Sequence, residues 1–310
     1  MKRNLLIIVM SVLAFSLVFV SCDNSPKTAS YKVTVTAGSD YSVSNTVEQG
    51  GSVKLPAASA LTVPEGQYFA WFSDGTDRYA AEEEVTNISS DLTITAVFKK
   101  IYTVGAKGEA GGWIVYDVDA DNADGNDDGV TSLELGWRYL ECAPEYATVT
   151  EGETKTSEFY FGLLFTPKEA GGGTYNSYKM VGTGQLLGDG KENTEKIVAA
   201  FGDEVYTTSS SPKDKNYMAA VADKYTYTNP ETNVTYTDWF LPSGMELVKT
   251  VSTIRKMEAG GTDVSALTSG FECCSSSEVS YNYYFNFTSG GGTGAEPRDN
   301  ASKVIPVRYI

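Results

Sequence analysis

The sequence predicts an α+β protein in two sections, a small β-rich one and a larger mixed one. Three observations carry that reading. Tyr31, Val33 and Val35, and later Leu92, Ile94, Ala96 and Phe98, alternate with polar partners, the period of a half-buried strand. Ser243 and Glu246 stand at capping-box spacing before an apolar-periodic run, which predicts a helix start. Long Gly-, Ser- and Thr-rich stretches separate few regular elements after residue 100. Hydrophobic residues make up 41% of the chain, ample for a packed core.

The chain opens with a targeting signal. Lys2 and Arg3 precede an apolar run from Leu5 to Val20, which ends at Ser21-Cys22. A positive start, an apolar stretch and a small residue before the cut form a secretory signal. With Cys directly after the small residue, residues 1–21 resemble a bacterial lipoprotein signal peptide. The resemblance implies acylation of Cys22, with the membrane as partner through a lipid anchor. Each buried CH2 of such an anchor contributes about 0.8 kcal/mol. Residues 22–30 then read as a short polar tether.

Residues 31–100 form the first section. Gly50-Gly51 punctuates it, and Val53-Lys54-Leu55 resumes a strand. Tyr68 to Phe72 reads as an aromatic strand closed by the turn Ser73-Asp74-Gly75, with Trp71 as a core residue. In residues 101–310, Gly111 to Tyr116 and Trp137 to Pro144 read as buried strands. Residues 149–176 read as loop. Helices are expected from Asn193 to Gly202, from Tyr217 to about Tyr225, and from Ser243 to Gly260. Strands return where Tyr281, Tyr283, Phe285 and Phe287 alternate, and at Ile305, Val307 and Tyr309.

Composition excludes whole classes of function. Forty acidic residues against 24 basic ones leave a net charge of −16, which argues against a nucleic-acid partner. The absence of His removes His-based triads and HExxH zinc sites. The densest polar cluster holds Asp117, Asp119, Asp121, Asp124, Asp127 and Asp128. Carboxylates at this spacing can wrap Ca2+, which takes six to eight oxygen ligands. The alternative is a solvated acidic hairpin loop between two buried strands. Asp238-Trp239-Phe240-Leu241-Pro242 reads as scaffold, with Pro242 ending an extended segment before the Ser243 cap. Ser275-Ser276-Ser277-Glu278 lacks a nearby base, so structural turn hydrogen bonds are expected there. Once Cys22 is lipidated, Cys142, Cys273 and Cys274 remain, an odd number that allows one bridge at most. Cys142 with Cys273 or Cys274 would close a loop of about 130 residues, contributing on the order of 4–5 kcal/mol in the entropy model.

Two resemblances span most of the chain. Val47-Glu48-Gln49-Gly50-Gly51-Ser52-Val53, Phe69 to Gly75 and Leu92 to Phe98 make residues 31–100 resemble the Listeria–Bacteroides (internalin B-type) repeat. That resemblance implies a β-grasp-like module used as a spacer. Gly111 to Tyr116, Trp137 to Pro144, Gly182-Thr183-Gly184 with Asn193-Thr194, and Asp238 to Ser243 with Glu246-Leu247 match a second family in order. So do Cys274 to Glu278, Asn286 to Gly290 and Val304 to Arg308. They make residues 101–310 resemble the C-terminal domain family of the Legionella collagen-like adhesin, which implies a C-type-lectin-like domain with long Gly-rich loops. Glu296-Pro297-Arg298 misses the sugar motif of calcium-dependent lectins, because Arg298 replaces its Asn ligand. The resemblances imply a lipoprotein of the cell envelope, at the outer membrane or cell surface. Its expected role is a non-catalytic binding or adhesion module for an extracellular glycan or protein. An enzyme on the same fold, or a structural envelope component, is the alternative.

Overall fold

The computed structural model describes residues 28–123, 130–163, 165–166, 176–178, 180–203, 205–206, 213–269, 272–280, 282–288 and 292–310. The signal segment, Cys22 and most of the tether lie outside the described residues, as do Asp124, Asp127 and Asp128. Among the described residues no helix is long and apolar enough to cross a membrane.

The first section contains β1 (Ser30–Ala37), β2 (Tyr41–Glu48), β3 (Val53–Lys54), β4 (Gln67–Ser73), β5 (Arg78–Tyr79), β6 (Glu84–Val85) and β7 (Leu92–Lys100). Five of these form a sheet in the order β2-β1-β7-β4-β5, and β3 pairs with β6. β1 and β7 run parallel in the centre, and the other pairs are antiparallel. The alternation read from the sequence is what buries Val33, Val35, Ala37, Ile94 and Ala96 on one face. Phe72, Leu55, Leu61 and Ile88 complete that core.

The second section begins with β8 (Trp113–Asp117), α1 (Val118–Ala123), α2 (Ser132–Leu135) and β9 (Tyr139–Cys142). Short strands follow: β10 (Val149–Glu151), β11 (Thr154–Thr156), β12 (Phe159–Tyr160), β13 (Phe165–Thr166) and β14 (Asn176–Tyr178). Next come α3 (Asp189–Phe201), β15 (Val205–Tyr206), β16 (Lys213–Asp214), α4 (Met218–Asp223), β17 (Tyr227–Thr228), β18 (Thr235–Tyr236), α5 (Gly244–Ala259) and α6 (Ser265–Thr268). β19 (Cys273–Ser280), β20 (Tyr283–Phe287), β21 (Thr293–Pro297), β22 (Ala301–Ser302) and β23 (Val307–Tyr309) close the chain. Two three-stranded sheets, β23-β9-β8 and β19-β20-β21, are the largest of this section. The helix α5 places Leu247, Val251 and Ile254 on one stripe, and all three are buried with β8, β9 and β23 residues.

Several expectations change against this fold. Residues 149–176 are not one open loop: β10 and β11 form a hairpin, and Phe159 and Phe161 beyond it are buried. β21 and β22 are strands for which the sequence carries no signal, and Arg298 and Ser302 are buried there. The acidic segment starts as the helix α1 rather than as a hairpin loop, because Asp117 Oδ1 accepts from the Asp119 and Ala120 amides at 3.1 and 3.3 Å. The helix α3 begins at Asp189, four residues before the expected Asn193. Asn193 is instead an interior residue whose amide exchanges hydrogen bonds with Gly184 at 2.8 Å each way.

Candidate functional site

The two sections meet along a cation–aromatic seam. Arg78 Nη1 donates to the Leu133 carbonyl at 2.9 Å. Arg78 and Lys99 both lie over the Trp71 ring, at 5.3 and 4.6 Å from its centroid. The Arg138 guanidinium lies over Tyr68 and Tyr139, whose rings meet edge to face at 6.3 Å. The core reading of Trp71 thus holds for its burial, while its face also contacts the seam.

Beside this seam opens a cleft of about 910 Å³. Lys99, Lys100 and Tyr102 line it from the end of β7, α2 contributes Glu134 and Leu135, and α3 contributes Asp189, Lys191, Glu192 and Glu195. Trp137 and Tyr309 form its aromatic part, stacked at 4.3 Å with an interplanar angle of 6°. Their position is fixed from below, since the Tyr309 hydroxyl donates to Glu246 Oε1 at 2.6 Å. Burial pushes the Glu246 carboxyl above its usual range, although Tyr309 and the Ser243 and Gly188 amides hydrogen-bond to it. Burial also pushes the Tyr102 phenol up to about 12. Lys99 is pulled below its usual value, by desolvation first and by Arg78 second. The cleft therefore offers the ammonium groups of Lys99 and Lys100 on one wall, three carboxylates and Lys191 of α3 on the other, and aromatic carbon between.

Arg308 anchors the cleft from the β23 side. It pairs with Asp238 through Nε and Nη2 at 3.0 Å each, and with Glu141 at 3.0 Å and Glu109 at 3.4 Å through Nη1. Glu141 is fully buried and also accepts from the Ala110 and Gly112 amides. This is a structural knot that ties the 108–112 turn to β9 and β23.

The sequence-derived candidates fall mostly outside the cleft. Asp117 receives a bidentate pair from Arg138 at 2.8 and 3.0 Å, and Asp119 lies 3.4 Å from the same guanidinium. Asp121 accepts from Lys249 at 2.7 Å and from the Tyr116 hydroxyl at 2.9 Å. Protein cations thus already take these three carboxylates. Among the described residues no group of three or more Cys, Asp or Glu side chains converges as a metal site. Cys142, Cys273 and Cys274 are free and buried, so the possible bridge from Cys142 to Cys273 or Cys274 is not formed. The Cys273 sulfur instead sits 3.6 Å from the Tyr146 hydroxyl, and Cys274 donates to the Lys303 carbonyl at 3.2 Å.

Ser275, Ser276 and Ser277 are structural, as expected, but in the buried strand β19 rather than in a turn. Their hydroxyls donate to the carbonyls of Phe285, Pro242 and Gly184 at 2.6, 3.1 and 2.7 Å. Asp238 to Pro242 is scaffold as read, with Trp239, Phe240 and Leu241 buried. Sequence reading missed the pair Arg298–Glu278, joined at 2.6 Å with both side chains buried from solvent. Glu278 also gathers the amides of Val181 and Gly182 at 2.9 and 2.8 Å. It missed the cleft as well, whose lining comes from distant stretches of chain. A visible hint was the run Lys99-Lys100, two cations together in an acidic protein. In comparisons with known proteins, no family model, no curated protein and no solved structure matches the chain.

Proposed function

We propose that this protein is a lipid-anchored envelope component whose 101–310 section, a C-type-lectin-like domain, is a non-catalytic binding module. Cys22 carries the anchor, and the 31–100 section is a β-grasp-like module. The ligand is an extracellular glycan or protein at the cell surface. The observation that supports this best is the cleft of about 910 Å³ between the two sections, within the size of ordinary ligand sites. On this reading the small module is more than a spacer, because Lys99 and Lys100 form one wall of the site. The buried carboxylates Glu141, Glu246 and Glu278 are each saturated by Arg, Tyr or backbone donors and serve the scaffold.

The test is a panel of glycans and matrix proteins probed with the full chain and with Lys99→Glu/Lys100→Glu. Binding by the parent that drops about tenfold in the variant supports the cleft; tenfold corresponds to roughly 1.4 kcal/mol. If the parent binds nothing on the panel, the protein is a structural envelope component instead. Labelled palmitate absent from the parent removes the anchor. Calcium at the acidic segment is tested on the same preparation. A rise in melting temperature with millimolar calcium supports it, since a ligand of the native state stabilises by mass action, and no rise removes it.

A further inference from the structure

Among the described residues, β2 is a sheet edge without the usual protection. It ends the five-stranded sheet, and Ser42 to Thr46 are all exposed. It runs eight residues, and its pairing with β1 is unbroken by any bulge, from Ser30↔Glu48 to Ala37↔Tyr41. No charged residue or Pro stands between Tyr41 and Val47, in a chain of which 21% is charged. Natural edges are blunted by Lys, Pro, bulges or shortness, because the free N–H and C=O row is a template for another strand. The opposite edge shows the contrast: β5 has two residues, and its Arg78 is held by the Leu133 carbonyl.

The side chains of β2 say which strand fits. Tyr41, Val43, Asn45 and Val47 share one face. Tyr41 and Val47 pack partly against the module core, while Val43 is left 42% exposed. A two-fold axis perpendicular to the sheet keeps this face on the same side in both copies, so it pairs residues of equal parity. Centred on Ser44, it would set Asp40 against Glu48, two like charges. Centred on Asn45, it sets Val43 against Val47, Ser44 against Thr46 and Ser42 against Glu48. No like charges then oppose, and β-branched pairs form.

We propose that β2 pairs with β2 of a second copy, antiparallel about a two-fold through Asn45, making one ten-stranded sheet. The net charge of −16 on each copy works against the contact, so pairing strengthens as salt rises. This interface is independent of the cleft, and its failure leaves the binding proposal standing.

The experiment is cysteine crosslinking of the full chain in its host membranes, with the unsubstituted chain as baseline. Two Asn45→Cys residues related by this axis have Cα atoms about 4.5–5.5 Å apart, within disulfide reach. Two Ser42→Cys residues lie roughly 20 Å apart along the strands and cannot join. The expected result is a dimer band with Asn45→Cys that reducing agent removes, and baseline levels with Ser42→Cys. Adding Val43→Lys to Asn45→Cys should cut the band at least tenfold, with the monomer's melting temperature unchanged. Equal bands from Asn45→Cys and Ser42→Cys, no band from either, or a band whose mass shows a different protein would each overturn the proposal.

Discussion

At the scale of single residues, the buried ion pairs dominate. Glu278 and Arg298 are both removed from water, and Arg298 Nε and Nη1 have no hydrogen-bond partner among the described residues. Such a pair is costly to break, because one partner leaves the other charged and buried. Arg298→Ala should cost about 3–5 kcal/mol, whereas Arg298→Met with Glu278→Gln should cost less than that single change. Denaturant unfolding of the two variants decides it. The thiols give a second expectation. Burial pushes Cys142 and Cys273 up to about 12, and Cys274 upward as well. At pH 8 an aromatic disulfide reagent should leave these three unmodified in the native protein and titrate all three after unfolding. Asp121 carries the pH expectation. Burial works against its charge, but the hydrogen bonds from Lys249 and Tyr116 outweigh that and hold its carboxyl below the usual range. Its folded value lies below its unfolded one, so its contribution is present above the ordinary carboxylate range and lost as pH falls through the folded value. Melting temperatures of the parent and Asp121→Asn should therefore differ most at neutral pH and converge in acid.

At the scale of elements, local signals were legible and tertiary ones were not. The helix α5 starts and stops where the sequence places it, because Ser243 and Glu246 satisfy each other's amides and Gly260 follows the last turn. Ser243→Ala should destabilise by about 1 kcal/mol, read from thermal melts, with the Leu186 carbonyl also losing its donor. The start of α3 was misplaced for the converse reason, while its stop at Gly202 falls where the sequence puts it. Asn193 looks like a cap in sequence, but its amide is satisfied by Gly184 across a loop. The acidic segment reads as a loop by composition, yet Arg138 and Lys249 neutralise its first turn and let α1 form.

At the scale of the whole molecule, the seam couples the two sections. Gly136 sits at φ +79°, and a Cβ there would run into the Arg78 guanidinium. Gly136→Val should therefore break the Arg78–Leu133 contact and loosen Lys99 from the Gly136 carbonyl. Calorimetry of the parent should show one transition, and of Gly136→Val two, with the small module melting first. A single transition in both would mean that the seam contributes little to their coupling.

The sequence by itself determined the alternating strands of residues 31–100, the capped helix α5 and the scaffold role of Asp238 to Pro242. Each of these rests on a pattern within a dozen residues, where backbone period and caps act directly. Only the tertiary structure decided where the charges went. Glu141 meets Arg308 across 167 residues and Tyr309 meets Glu246 across 63. The cleft likewise draws its walls from β7, α2, α3 and β23. No local period encodes which carboxylate a distant cation will neutralise. That choice is made by burial, since a charge removed from water must find its partner within the same core.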